Sequence, residues 1–471
     1  MIRARTVAHA LAGIALAGAA LNAQTIALSE YAARRAALGA LAGDGAVVVL
    51  GAPEPLYDHD YFSQSSHLRY LTGWNAPFAA LLLIRSGGAQ REMLFVPARD
   101  INQLARTCDS LLGEHMRMRI VGELEGASSP VASAVPTDRV FMNELMRKHP
   151  DTALTEGNAL VLKLRGQKSA AEVALLRTSI GITLRAHEEV LRMLTPGWNE
   201  FEVQSLVEYT YRRNGADRPG FTTIAGSGDN ATTLHYWRND RVIQAGELMV
   251  LDIGASYGGY SADVTRTLPV SGTFSPEQRA IYTLVRAAQQ AGEKAMRIGA
   301  PQFAPNQAAA DVLAEGLAAL GLTESATATY DCDVAAERQC PQLRLYYMHG
   351  LGHGIGLDVH DTDISDGGSW TAGSVVTIEP GVYVRRNMAE VLPDTPRNRA
   401  VLAKISAAVA RYAGIGVRIE DDYLLTDSGL EWLSKLPREV SDVERLMQAP
   451  RATTPRERDA GLVERYRRGI P

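Results

Sequence analysis

The sequence predicts a two-domain chain, an α/β domain followed by a larger α+β domain assembled from two similar halves. Three observations predict it. The chain has 471 residues, 46% hydrophobic and 21% charged, which is enough apolar material for more than one core. From about 28 to 150, short apolar runs alternate with helical patterns. Beyond 167 the order helix, helix, strands occurs twice, pointing to an internal pseudo-twofold duplication without a visible residue-level repeat. The formal net charge of −5 and the lack of a basic stripe argue against a nucleic-acid partner.

Taken in order, the chain opens with MIRARTVAHALAGIALAGAALNAQT. Arg3 and Arg5 precede an uncharged Ala/Leu/Gly-rich run that reaches the small residue Ala23. This predicts a cleaved signal peptide over 1–23, hence an exported protein, periplasmic or extracellular, with no stable membrane anchor. Leu21 is larger than such a site prefers, so a retained anchor is the alternative, for which the run is short. Residues 24–160 then form the first domain. AVVVLGAP (46–53), FAALLLI (78–84), EMLFVPA (92–98) and RVFMN (139–143) read as strands, and DINQLARTC as a helix capped by Asp100.

The second domain, 161–436, begins with a helix that stops at Pro196 and Gly197. Asn199 with Glu202 makes a capping-box pair for the next helix, which Gly215 closes. Ser275, Pro276 and Gln278 start a third helix, and a fourth follows from about 303 to 320. The tail, 437–471, is charged and reads as a surface helix or a partly unfolded segment. Of the three cysteines, Cys332 and Cys340 lie close enough to form a local disulfide in an oxidising compartment. Cys108 would then be free and buried.

Carboxylates carry the first chemical signal. VLDIGASYGGYSADVTRT places Asp252 and Asp263 in two β-rich runs separated by a turn. A hairpin can bring them together, and two buried facing carboxylates need a cation or a proton between them. Exposed hairpin aspartates are the alternative. Glu379 in TIEPGVYV and Glu420 in GVRIEDDYLL also sit where strand interiors are predicted, and there a Glu asks for a partner. Arg418 could supply one to Glu420 as a simple salt bridge.

Histidines carry the second. HGLGHGIGLDVHD (349–361) holds His349, His353 and His360 among four glycines. Each glycine costs roughly 1 kcal/mol in a helix interior, so an extended or looped backbone is predicted, with close approach of a metal, a substrate or another segment. Beyond His187 the chain has only His235 and these three. A site built mainly from imidazole is therefore disfavoured, and a carboxylate-rich pair of divalent ions of the manganese, cobalt or zinc type fits better.

LDIGASYGGYSADVTRT, MHGLGHGIGLDVHD, IEPGVYV and GVRIEDD resemble, in this order, the pita-bread metallopeptidases of the creatinase/aminopeptidase fold. They are closest to the Xaa-Pro branch, aminopeptidase P and prolidase. RGQKSAAEVALLR resembles the usual start of that catalytic domain, and SSHLRYLTGWNAPFAALLL the aminopeptidase P N-terminal domain. The resemblance spans roughly 30 to 430. It implies that Asp252, Asp263, His353, Glu379 and Glu420 bind two divalent metals, manganese first, with Asp263 and Glu420 bridging. It further implies catalytic roles for His349, His360 and Glu379, and substrate contacts for His235, Arg418 and Tyr383.

The implied activity is hydrolysis of the Xaa-Pro bond at a peptide's N-terminus by a hydroxide that two metals activate. Substrates would be peptides with proline second, and the protein a homo-oligomer, dimer or tetramer. An Xaa-Pro dipeptidase and a catalytically silent peptide-binding module are the alternatives. The stretch between Glu379 and Glu420 is long for the family pattern, and its extra residues read as a loop and a helix.

Overall fold

The computed structural model describes residues 26–53, 62–96, 101–122, 137–335, 337–362 and 368–456. The leader expected over 1–23 and the cap Asp100 lie outside them. The chain packs as two units, Met1–Gly166 and Gln167–Pro471.

In the first unit the strands β1 (Gly45–Leu50), β2 (Ala80–Ser86), β3 (Ala89–Phe95), β4 (Met118–Val121) and β5 (Leu154–Glu156) form one sheet in the order β3-β2-β1-β4-β5. β4 runs parallel to both β1 and β5, while β2 is antiparallel to β1 and β3. Helices α1 (Leu28–Ala42), α2 (Ser66–Thr72), α3 (Ile101–Gly113), α4 (Thr137–Lys148) and α5 (Asn158–Arg165) accompany it. Val48, Leu82, Ile120, Leu104, Cys108, Met142 and Leu145 meet in its core. Burial and the neighbouring Asp109 push the Cys108 thiol up to about 12, so it packs as an unreactive apolar group.

One expected strand is a helix. RVFMN lies inside α4, where Met142 and Leu145 are buried three apart while Val140 is half exposed. Asp138 in the first turn and Arg147 and Lys148 in the last complement the helix dipole, which outweighs a short apolar run.

The second unit repeats its element order. α6 (Ala170–Met193) and α7 (Glu200–Arg213) precede β6 (Arg218–Pro219), β7 (Ile224–Ser227), β8 (Leu248–Ile253), β9 (Ala255–Tyr257), β10 (Tyr260–Ser261) and β11 (Val264–Pro269). α8 (Pro276–Ala295) and α9 (Ala304–Ala319) precede β12 (Thr329–Asp333), β13 (Arg338–Pro341), β14 (Val375–Ile378) and β15 (Gly381–Val384). After the inserted helices α10 (Met388–Val391) and α11 (Pro396–Tyr412) come β16 (Ile415–Arg418), β17 (Asp421–Thr426), β18 (Gly429–Trp432) and α12 (Val440–Met447). The capping boxes at Ser169, Asn199 and Ser275 are formed. In the tail, Val443 and Met447 anchor α12.

Two antiparallel sheets, β11-β8-β7 and β14-β17-β18, with the β15-β16 pair, carry the functional side chains. Helix α6 meets the first sheet with a polar stripe. Ser179 donates to the Ala255 carbonyl, Thr183 accepts from the Ala255 N–H, and the His187 ring bonds the Val264 carbonyl at 2.9 Å. All three side chains are fully buried. They tie the backbone at Ala255, between Asp252 and Asp263, and at Val264, just after Asp263, to a rigid helix. Cys332 and Cys340 form a disulfide across β12 and β13. Among the described residues no helix is long and apolar enough to cross a membrane.

Candidate metal centre

Asp252 sits on β8 opposite Thr265 of β11, and Asp263 immediately precedes β11. Glu379 follows β14, and Glu420 stands between β16 and β17. Both aspartates and Glu420 are buried, so the exposed-hairpin alternative fails. All five predicted metal ligands, with His235, His349, His360 and Arg418, line one cavity of about 330 Å³. Asp263, His353 and Glu420 each offer a ligand atom within 4.8 Å of the others.

The histidine stretch forms a loop, as its glycines predict. A Cβ at Gly352 would lie 2.1 Å from the Thr377 carbonyl oxygen, and one at Gly354 2.5 Å from that of Thr362. The main chain therefore lies directly on β14 and on the returning segment, which brings His353 against Glu379.

The donor set calls for cations. His353 Nδ1 is 3.0 Å from the Gly354 carbonyl oxygen, an acceptor only, so Nδ1 carries the proton and Nε2 presents a lone pair. That lone pair faces Asp263 Oδ2 at 3.5 Å and Glu379 Oε1 at 3.3 Å. Asp252 Oδ1 and Asp263 Oδ1 are buried without a hydrogen-bond partner. Acceptors converging on acceptors, with orphaned buried oxygens, fit divalent metal ions.

The electrostatics agree. Burial, then the charges of Glu420 and Asp252, hold the Asp263 carboxyl well above the ordinary carboxylate range. Burial, Glu379 and Asp252 do the same to Glu420. Burial and then Asp252 bring Glu379 to about 8 against the pull of Arg418. Desolvation pushes His353 and His349 down to about 4, leaving both rings neutral and able to ligate or accept.

These shifts predict a pH-dependent metal effect. The folded pKa values of the three carboxyls lie above their unfolded values near 4. Without metal, the stability they contribute is complete below about pH 4 and is lost as pH rises through the folded values. A divalent cation takes only the ionised carboxylates and displaces their protons. The rise in Tm on adding zinc or manganese over the EDTA-treated protein should therefore grow from pH 5.5 to 8.5. A larger rise at pH 5.5 would contradict the assignment.

Arg418 does not pair with Glu420. Its buried guanidinium bonds Asp252, the Tyr383 hydroxyl at 2.9 Å and Thr265 Oγ1 at 3.3 Å, while Glu420 accepts from Thr265 Oγ1 at 2.6 Å. Tyr383 in turn bonds His349 Nε2 at 2.9 Å. The His349 Nδ1 proton is directed at the Gly350 carbonyl, so the tyrosine hydroxyl is the donor. His360 is exposed, its ring 4.3 Å from that of His353 and 6.4 Å from that of His235.

Four further residues belong to the site. Thr265 bridges Arg418 and Glu420. Thr377 donates to Glu379 at 3.3 Å and accepts from the His353 N–H at 3.1 Å. Asp422 accepts from the Asp263 N–H. Trp237 walls an adjoining cavity of about 320 Å³ with Phe221, Ile224 and Val359, which shares Asp252, Asp263, His235 and His360 with the first. The DVTRT and EDD runs hold the first and third of these signals, but neither run identifies which member acts.

A family model, metallopeptidase family M24, matches residues 174–427, and a second, the aminopeptidase P N-terminal domain, matches 31–105. The chain is 32% identical over 417 residues to the Xaa-Pro aminopeptidase of Haemophilus influenzae, covering 82% of this chain and 88% of that protein. It is 30% identical over 466 residues to the Xaa-Pro aminopeptidase of Escherichia coli, covering 90% and 99%. Among solved structures it resembles zinc-substituted Escherichia coli aminopeptidase P in complex with product, with a TM-score of 0.72 and 28% identity over 91% of this chain and all of that one. With its five acidic and imidazole donors converging on one cavity, the chain belongs to metallopeptidase family M24.

Proposed function

We propose that this protein removes the first residue from peptides with proline second, as an Xaa-Pro aminopeptidase using two divalent ions, manganese first among the candidates. One observation carries the reading. Two aspartates, two glutamates and a neutral histidine meet with orphaned buried oxygens in a cavity that opens onto an apolar pocket. Asp252, Asp263, His353, Glu379 and Glu420 would hold the ions. When bound, such ions acidify a water and polarise a carbonyl.

The remaining residues have definable tasks. Glu379 lies at the cavity edge between His353 and His349, where its carboxylate can accept a proton and return it. Arg418 fixes Tyr383, which fixes the neutral ring of His349. His349 and His360 face the space where a scissile carbonyl would sit, and His235 lines the substrate side. Proline has no N–H, so recognition of its ring relies on shape and apolar contact.

The test is a parallel digestion of a Xaa-Pro-Xaa tripeptide and a Xaa-Pro dipeptide by the manganese-loaded protein, with products followed by mass spectrometry. Release of the first residue from the tripeptide is the expected result. Cleavage of the dipeptide alone would make it a dipeptidase, and cleavage of neither, with any of several metals, a peptide-binding module. Export after loss of 1–23 and a dimeric or tetrameric state belong to the same proposal. The intact mass of the secreted protein and light scattering test them.

A further inference from the structure

One buried carboxylate outside the metal centre gathers an unusual number of donors. Glu200, the first residue of α7, is fully buried. It accepts from the Ser227 N–H and hydroxyl, both at 2.7 Å, and from the Asn230 amide at 3.2 Å. It also accepts from the Tyr236 hydroxyl at 2.7 Å and the Arg241 N–H at 3.1 Å. Arg241 extends the network, donating to Ser227 Oγ at 2.9 Å and pairing with Glu247. The helix N-terminus favours the negative charge there.

These donors come from one segment, 227–241, that leaves β7 and returns toward β8. Its far end is held independently. Asn239 is fully buried with φ +49°. It accepts from the Ala225 N–H and donates to the Thr223 carbonyl and to Gln204. Between the two anchors the segment presents His235 and Trp237, the residues on either side of Tyr236. Trp237 is 68% exposed, an unfavourable place for an indole unless something covers it. It walls the apolar cavity with Phe221, Ile224 and Val359. Among the described residues, Asp252 and Asp263 are the only carboxylates that line that cavity.

We propose that Glu200 is the positioning residue for this cavity. Acting through Tyr236, it holds His235 and Trp237 so that the cavity accepts a large apolar side chain on the peptide's first residue. The inference rests on the aminopeptidase reading above. Glu200 itself lines neither cavity at the metal centre, so its loss acts on substrate preference and leaves metal content unchanged.

The test compares wild type, Tyr236→Phe and Glu200→Gln on tripeptides beginning Phe-Pro and Ala-Pro. Losing a hydrogen bond to a charged group should raise KM for the Phe-Pro peptide about tenfold in Tyr236→Phe and further in Glu200→Gln. KM for Ala-Pro should change less, with kcat and bound metal nearly constant. Equal losses on both peptides, or a fall confined to kcat, would overturn the proposal.

Hydrogen–deuterium exchange over 227–241 gives a reading without substrate. Faster exchange there in both variants, with the rest of the unit unchanged, supports the positioning role, and unchanged exchange refutes it. Wild type that cleaves neither peptide would defeat the aminopeptidase reading, while the exchange result still decides whether Glu200 organises the segment.

Discussion

Asp263→Asn should abolish turnover and metal binding together while making the metal-free protein more stable. Asp263 lies within ligand distance of both His353 and Glu420, and one of its oxygens is buried without a partner. An amide keeps the shape but offers one neutral acceptor oxygen in place of two charged ones, so it holds a cation far more weakly, and its N–H₂ points donors where ligand atoms are needed. Losing the site removes several kcal/mol of transition-state stabilisation, on the order of a thousandfold in kcat/KM. The carboxyl is also a cost to the metal-free fold, since burial and the charges of Glu420 and Asp252 oppose its ionisation.

At pH 8 the EDTA-treated variant should therefore melt above EDTA-treated wild type, and added zinc should no longer shift its Tm. Metal content by mass spectrometry and paired melts check this. Retained turnover with retained metal would remove Asp263 from the ligand set. A variant that melts below metal-free wild type would show that Asp263 instead serves as a structural acceptor.

Arg266→Leu should be the most destabilising single change in the second unit. Arg266 is fully buried on β11 beside the metal ligands, and every N–H direction of its fork is used. It donates to Asp421 at 2.7 Å, to the Thr265 and Glu420 carbonyls at 2.8 and 2.7 Å, and to the Leu436 and Pro437 carbonyls at 2.8 and 3.0 Å. Removing one partner of a buried pair costs about 3–5 kcal/mol. Arg438 still faces Asp421 at 2.8 Å, but four buried carbonyls lose their donor as well. In a unit of this size that is a fall in Tm on the order of 5–15 °C. Arg266→Lys keeps the charge but not the fork, so it should recover only part of the loss. A change below about 2 °C in Arg266→Leu would show that the network adds little stability.

Arg266 also holds the carbonyl of Glu420, so the same variant should weaken metal binding even at temperatures where it remains folded. Zinc titration monitored by calorimetry separates that effect from simple unfolding.

Helix starts were legible residue by residue. Asn199 and Ser275 each carry their partner three positions on, and a capping box needs nothing beyond the local chain. The same pattern at Ser169 and Glu172 came to light only with the structure. The strand assigned to RVFMN failed for the matching reason. Five apolar and polar residues cannot distinguish periods of 2 and 3.6; the flanking Asp138, Arg147 and Lys148 and the packing of Met142 and Leu145 do so. The looped backbone of 349–361 followed from its glycines. That Gly352 lies on Thr377 and Gly354 on Thr362 required the fold, because those contacts join segments the sequence separates.

The acidic run Glu420-Asp421-Asp422 shows where the boundary lies. From the sequence alone, three adjacent carboxylates at the end of a β-rich segment are chemically alike, and the choice of Glu420 as ligand rested on family resemblance. In the folded chain, neighbouring side chains of an extended segment point to opposite faces. Glu420 turns toward Thr265 and the cavity, and Asp422 toward the Asp263 N–H. Burial pushes both well above the ordinary range, with the charges of Glu379 and Asp252 adding to it for Glu420 and the Asp263 N–H opposing it for Asp422. Asp421 turns to the other face. Burial pushes its pKa up there, but Arg266 and Arg438 more than offset that and hold it below the ordinary range. The sequence by itself determined the helix caps at Asn199 and Ser275, the repeated helix, helix, strands order of the second unit, the glycine loop and the presence of a carboxylate-rich site, since these depend on residue type and local spacing. Which carboxylates meet a cation and which meet an arginine was decided only by the tertiary structure, because a charge answers to what lies across from it in space.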